Sequence, residues 1–131
     1  MTHSKGVDDA RKEVRFETEL AAVVSTGSGA VMPAKVTNIS SSGMQLTMGI
    51  SCMKELLPKA STERTPQTLI ELEFEIETRQ RADQRIEMQC ELLYVRRKTK
   101  DKCIVGCVFN NLKEETTDMM VEYLSLFCTP S

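Results

Sequence analysis

The sequence predicts an all-β domain closed by one C-terminal helix: six antiparallel strands in a barrel, then a change of period. Three observations carry this. Apolar residues alternate with polar ones in several separate runs, the mark of half-buried strands. Glycine- and serine-rich breaks divide those runs. Only the last segment shows apolar residues at three- and four-residue intervals, the helical spacing.

Taken in order, residues 1–10 are polar and carry little apolar mass, so they predict a flexible N-terminal arm. A single domain is expected over 11–128. Its first strand starts at Phe16, with Phe16, Thr18, Leu20, Ala22 and Val24 on one face and Glu17 and Glu19 on the other. Gly27-Ser28-Gly29 makes a turn, and Pro33 leads into a short strand from Ala34 to Ile39. The run Asn38 to Gly43 interrupts the pattern before Met44 to Met48 resumes it, as a hairpin or tight corner does; Gly43 supplies a conformation that side chains resist. Met53 to Leu57 predicts a helical turn ended by Pro58, followed by exposed loop to Pro66.

Thr68 to Glu77 is the clearest strand. Ile70, Leu72, Phe74 and Ile76 face one way, and Glu71, Glu73, Glu75 and Glu77 form a solvated face opposite. After a polar connection, Ile86, Met88, Cys90, Leu92 and Tyr94 are expected on one face of a long strand. A basic turn precedes the last strand, Lys102 to Phe109, in which Gly106 marks a bulge or a close contact. Asn111 and Glu114 read as a capping box opening a helix over about 112–127, with Met119, Met120, Tyr123, Leu124 and Phe127 on its apolar stripe.

Composition narrows the function. A 40% apolar, 27% charged chain is that of a globular domain. A net charge of -2 gives no global attraction for DNA, RNA or an anionic membrane, so an anionic ligand needs a local cationic cluster. No apolar run reaches the length of a membrane span and residues 1–10 hold no signal-peptide core, so the expected location is cytoplasmic. The five cysteines lack a CxxC pair, and the one histidine is His3; reduced, buried thiols are expected, and neither a metal nor a cofactor. No nucleophile–base pair stands out, so no catalytic residue is assigned and an enzyme is not expected.

Two motifs remain. Arg11 and Arg15 place two guanidinium forks just before the first strand, suited to phosphates and to the O6/N7 edge of guanine. Asn38, Ser40 and Gly43 offer an amide, a hydroxyl and a backbone bend at one end of the sheet. Together they describe a site for a small, anionic, guanine-bearing ligand. Chance supplies roughly half an Arg-x-x-x-Arg per chain of this composition but only roughly 0.03 of an Asp/Asn-x-Ser-x-x-Gly. A second arginine pair, Arg81 and Arg85, lies in a polar connection beside Asp83 and reads as structural.

These residues resemble the signature of the PilZ domain, a family of bacterial receptors for cyclic di-GMP. The family pattern is Arg-x-x-x-Arg, a strand, then Asp/Asn-x-Ser-x-x-Gly, matched here by Arg11, Arg15, Asn38, Ser40 and Gly43. Val105-Gly106-Cys107-Val108-Phe109 is similar to the family's hydrophobic Gly-x-x-Phe strand. The resemblance, over roughly residues 11 to 127, implies a six-stranded PilZ-type barrel followed by a helix. It also implies cyclic di-GMP as ligand, with Arg11 and Arg15 on phosphate or guanine and Asn38 and Ser40 at the rim. The expected role is a receptor or adaptor whose N-terminal arm changes conformation on binding and which signals to an unidentified downstream protein. The alternative is a ligand-independent interaction module of the same fold. Ala10 is small and leaves room for a second guanine layer, so two ligand molecules per protomer are expected.

Overall fold

A computed structural model describes residues 14–56 and 68–130. The segment 1–10, Arg11, Pro58 and the loop to Pro66 lie outside the described residues. Six strands form the barrel: β1 (Phe16–Thr26), β2 (Val31–Ile39), β3 (Gly43–Gly49), β4 (Leu69–Ile76), β5 (Gln84–Arg97) and β6 (Lys102–Phe109). Every pairing is antiparallel. The order β2-β3-β6-β5-β4-β1 closes on itself because β1 also pairs with β2. The short helix α1 (Met53–Leu56) follows β3, the long helix α2 (Glu114–Phe127) follows β6, and a two-residue β7 (Thr129–Pro130) pairs with Phe16 and Glu17.

Alternation drives closure. The inward positions Val24, Val36, Ile39, Leu46, Ile70, Leu72, Ile86, Cys90 and Val105 are buried to 1% exposure or less. At about 1.5–3 kcal/mol for a fully buried large aliphatic chain, this row is the main stabilising term. Met120, Tyr123 and Leu124 of α2 join the same core, so the methionine-bearing stripe packs on the chain's own barrel. The Tyr123 hydroxyl lies 2.5 Å from Thr18 Oγ1 and pins the helix to β1. Cys52, Cys90, Cys103 and Cys107 are buried thiols. A hydrogen bond with Cys107, together with burial, pushes the Cys90 thiol above its usual range.

Four expectations change. β2 begins at Val31 and runs through Pro33, which is paired with Val23 of β1 but lies before the β2–β3 pairing, which starts at Lys35. It thus has a neighbouring strand on one side only, the setting in which proline is tolerated in a sheet. The capping box is not formed: Asn111 takes a left-handed turn (φ 55°), the N-cap is Lys113 without a side-chain bond, and the helix starts at Glu114 rather than near 112. Gly43 is not in the left-handed region; its need for glycine is contact, since a Cβ there would lie 2.1 Å from the Cys107 carbonyl oxygen of β6. Tyr94 faces outward, not inward. Between Leu92 and Tyr94 the β5–β6 register slips by one residue at Leu93, so Val95 takes the inward place.

Candidate functional site

The motif residues lie where β2 turns into β3. Ser40 N–H and Ser40 Oγ both donate to the Gly43 carbonyl, at 2.8 and 3.3 Å, which ties the corner and leaves Ser40 only 5% exposed. Gly43 then lies against the backbone of Cys107 and Val108, and Phe109 N–H donates to Ser42 at 2.9 Å. The serine and glycine of the motif therefore build the corner that carries the asparagine.

Asn38 owes its position to a bulge. The β2–β3 register slips between Val36 and Asn38, so Thr37 is the extra residue; Val36 and Ile39 stay buried while Asn38 turns to the outer face. There the Asn38 amide donates to Gln45 Oε1 at 3.0 Å, and Arg15 donates to Asn38 Oδ1 at 3.4 Å. Residues 23 apart in sequence thus bring the two halves of the motif into contact. Arg15, Asn38, Ser40 and Gly43 sit together; Arg11 lies outside the described residues.

The register extends the site across the sheet. Asn38 is paired with Gln45, Gln45 with Gly106, and Gly106 with Tyr94, one straight row over β2, β3, β6 and β5. Because Gly106 has no side chain, the Tyr94 ring lies over it, and Gln45 Nε2 donates to the Tyr94 hydroxyl at 3.2 Å. The Arg96 guanidinium stands over the Tyr94 ring, 5.1 Å from its centroid. Arg15, Ser40, Ser42, Gln45 and Tyr94 are among the residues around a recess of about 80 Å³, a shallow seat for one base edge or one phosphate.

Gln45, Tyr94 and Arg96 belong to neither motif. A signal for Tyr94 existed in the unbroken run Leu92-Leu93-Tyr94-Val95, which no period-two strand can place on one face. Gly106 pointed to a close contact, and Tyr94 is that contact. Chemically, the row presents donors and acceptors of fixed direction beside the cations Arg15 and Arg96, as purine edges and phosphates require.

Elsewhere, a larger recess of about 680 Å³ opens at the other end of β3, beside Lys35, Lys98 and Lys102. Its Lys35 is paired with Glu19 at 2.9 Å, and that hydrogen bond holds the Glu19 carboxyl below the usual carboxylate range. The second arginine pair is engaged too: Arg81 lies 3.4 Å from Asp83, and Arg85 contacts Glu73 and Glu87. Among the described residues no group of three or more His, Cys, Asp or Glu could hold a metal ion, and no helix is long and apolar enough to cross a membrane.

Comparison with known proteins identifies the family and the fold. The family model described as PilZ domain matches residues 9–126. The PilZ domain of YcgR from Escherichia coli, solved with c-di-GMP, superposes with a TM-score of 0.59 at 12% identity, covering 88% of this chain and 90% of that one. The Bacillus subtilis inhibitor of motility MotI/DgrA gives the same score and identity over 88% of this chain and 48% of its own. The Borreliella burgdorferi PlzA protein in complex with c-di-GMP gives 0.50 at 12% identity, over 95% of this chain and 49% of its own. The chain thus spans about half the length of two of these neighbours, and at such identities the likeness is one of fold. A search of curated protein sequences finds no match.

Proposed function

This chain belongs to the PilZ family, and from that premise we propose that it is a receptor for cyclic di-GMP. PilZ domains are generally non-catalytic receptor modules, and the family typically binds this ligand. The observation that carries the reading is the Arg15–Asn38 contact, which brings a guanidinium, a group suited to phosphate and guanine edges, against an amide at the barrel rim. Arg15, Asn38 and Ser40, with Arg11 and Gly43, are the proposed ligand residues. Charge-assisted hydrogen bonds contribute about 1.5–3 kcal/mol each, so a few support a Kd near ~1 μM.

On this reading the ligand draws residues 1 to 15 onto the barrel, and the changed arm is what a downstream protein reads. Two ligand molecules per protomer remain the proposed stoichiometry, from the small Ala10 before Arg11. Equilibrium titration with cyclic di-GMP tests binding and stoichiometry together, and amide exchange with and without ligand tests the arm. A second reading, a ligand-independent interaction module, draws on Val121, Leu126 and Phe127, which are exposed on α2. Absence of cyclic di-GMP binding would favour it.

A further inference from the structure

We propose that Tyr94 and Arg96 form a second base-reading subsite, which takes the O6/N7 edge of a guanine beside the motif residues. The inference rests on the reading of this face as a cyclic di-GMP site and assigns the part of it that no motif residue covers.

Three features support it. First, the row Asn38–Gln45–Gly106–Tyr94 is continuous with the motif, so a ligand seated at Arg15 and Asn38 extends towards Tyr94. Second, the hydrogen bonds along it have one direction. Arg15 donates to Asn38, Asn38 to Gln45, and Gln45 to the Tyr94 oxygen. That acceptance leaves the Tyr94 proton directed away from Gln45, towards an acceptor on a ligand. Third, the Arg96 guanidinium stands over the same ring, 5.1 Å from its centroid, and Arg96 has no ion-pair partner among the described residues, so its N–H donors can serve a ligand at the ring.

A guanidinium held this way matches two acceptors in a plane. Guanine presents them as O6 and N7, whereas adenine presents a donor at the first position. A phosphate would also attract Arg96, but it would not need a tyrosine hydroxyl donor next to the guanidinium, two residues away on β5. The subsite therefore selects the base, and its loss should be felt by a guanine and not by an adenine.

The test compares cyclic di-GMP with 3′,3′-cyclic GMP-AMP, which carries one guanine and one adenine, by equilibrium titration of the full chain. The parent should prefer cyclic di-GMP roughly tenfold, the discrimination of one bidentate pair. Arg96→Ala should weaken cyclic di-GMP roughly tenfold and remove the preference, and Arg96→Lys, which keeps charge without the fork, should do the same. Tyr94→Ala should act in the same direction. Melting curves establish that each variant is folded; the side chains are exposed at the surface, and a variant that failed to fold would be replaced in the comparison by Arg96→Lys. Equal weakening of both ligands by Arg96→Ala would place Arg96 on a phosphate and overturn the proposal. So would parent-like binding by the Arg96 and Tyr94 variants while Arg15→Ala loses affinity, a result that leaves the receptor reading standing. A parent that binds neither nucleotide overturns both.

Discussion

The Tyr94 ring occupies the space that a side chain at Gly106 would fill: a Cβ at position 106 would lie 2.2 Å from Tyr94 Cε2 and 2.7 Å from its hydroxyl oxygen. Two residues on neighbouring strands therefore share one volume, and the arrangement lets Tyr94 reach Gln45 across β6. Gly106→Ala should move the ring aside and break the 3.2 Å Gln45–Tyr94 bond. The obstacle is a movable, partly exposed side chain, so the expected stability loss is only about 0.5–1.5 kcal/mol, the worth of one hydrogen bond. In a Tyr94→Ala background the same glycine substitution should cost almost nothing. Denaturant unfolding of the four-member cycle checks this, and equal costs in both backgrounds would rule out the shared volume.

Gly43 meets a harder limit. Its missing Cβ would fall 2.1 Å from the Cys107 carbonyl oxygen and 2.9 Å from Val108 Cα, and backbone atoms cannot rotate out of the way. Gly43→Ala must push β3 and β6 apart where they are paired, at Gly43 and Val108. The expected cost is about 3 kcal/mol or more, at the upper end for overpacking, and clearly above that of Gly106→Ala. Parallel thermal melts of the two variants decide the order.

How much of this was legible in the sequence differs between the fold and the site. The regular alternation of Ile70, Leu72, Phe74 and Ile76 gave strand and burial at once, because each inward residue is apolar and each outward one is charged. Two bulges broke the same logic. One extra residue at Thr37 and one at Leu93 reverse the faces that follow; the apolar run from Leu92 to Val95 shows that alternation fails there, but which residue is the extra one is set by the partner strand. Plain alternation therefore puts Tyr94 inside, and by the same pattern Gln45 is one more outward polar residue. The motif residues stand out in the sequence by the rarity of their types and spacing, which carries no information about their geometry. That geometry proved different: Ser40 is spent mostly on the corner, and Gly43 is needed for contact rather than for its dihedral angles.

The pH dependence of stability should show a contribution from Tyr123. Burial, the largest effect, pushes its pKa from the ordinary 10.0 up to about 12, while the bond to Thr18 works in the opposite direction. The folded chain thus holds this proton more tightly than the unfolded one does. Its stabilisation is complete below pH 10 and declines as pH rises towards 12, because the unfolded state ionises first. Phenolate absorbance should reveal a tyrosine titrating late, and Tyr123→Phe should make the alkaline fall in stability shallower. An unchanged slope in that variant would assign the fall to other groups. At neutral pH the same variant should lose about 0.5–1.5 kcal/mol through its hydrogen bond to Thr18.

The last prediction sets the two arginine pairs against each other. Arg11→Ala and Arg15→Ala should each weaken cyclic di-GMP binding by about 1.5–3 kcal/mol, roughly tenfold to over a hundredfold, because each removes a charge-assisted contact. Ser40→Ala should cost binding less, about 0.5–1.5 kcal/mol, since its hydroxyl is already bonded to the Gly43 carbonyl. Arg81→Ala with Arg85→Ala removes the same net charge as losing Arg11 and Arg15 together. Those two cations are held by Asp83, Glu73 and Glu87, at the turn before β5 and at its start. If the ligand responds only to the overall field, the two double variants must bind alike. If it responds to a local site, the Arg81/Arg85 variant must bind as the parent does, because exposed charges beyond about 8 Å are screened at physiological salt. Calorimetric titration, after melting curves have shown each variant folded, separates the outcomes. A large loss for Arg81/Arg85 with none for Arg11/Arg15 would move the site to the wrong end of β5 and remove the role assigned to the Arg15–Asn38 contact.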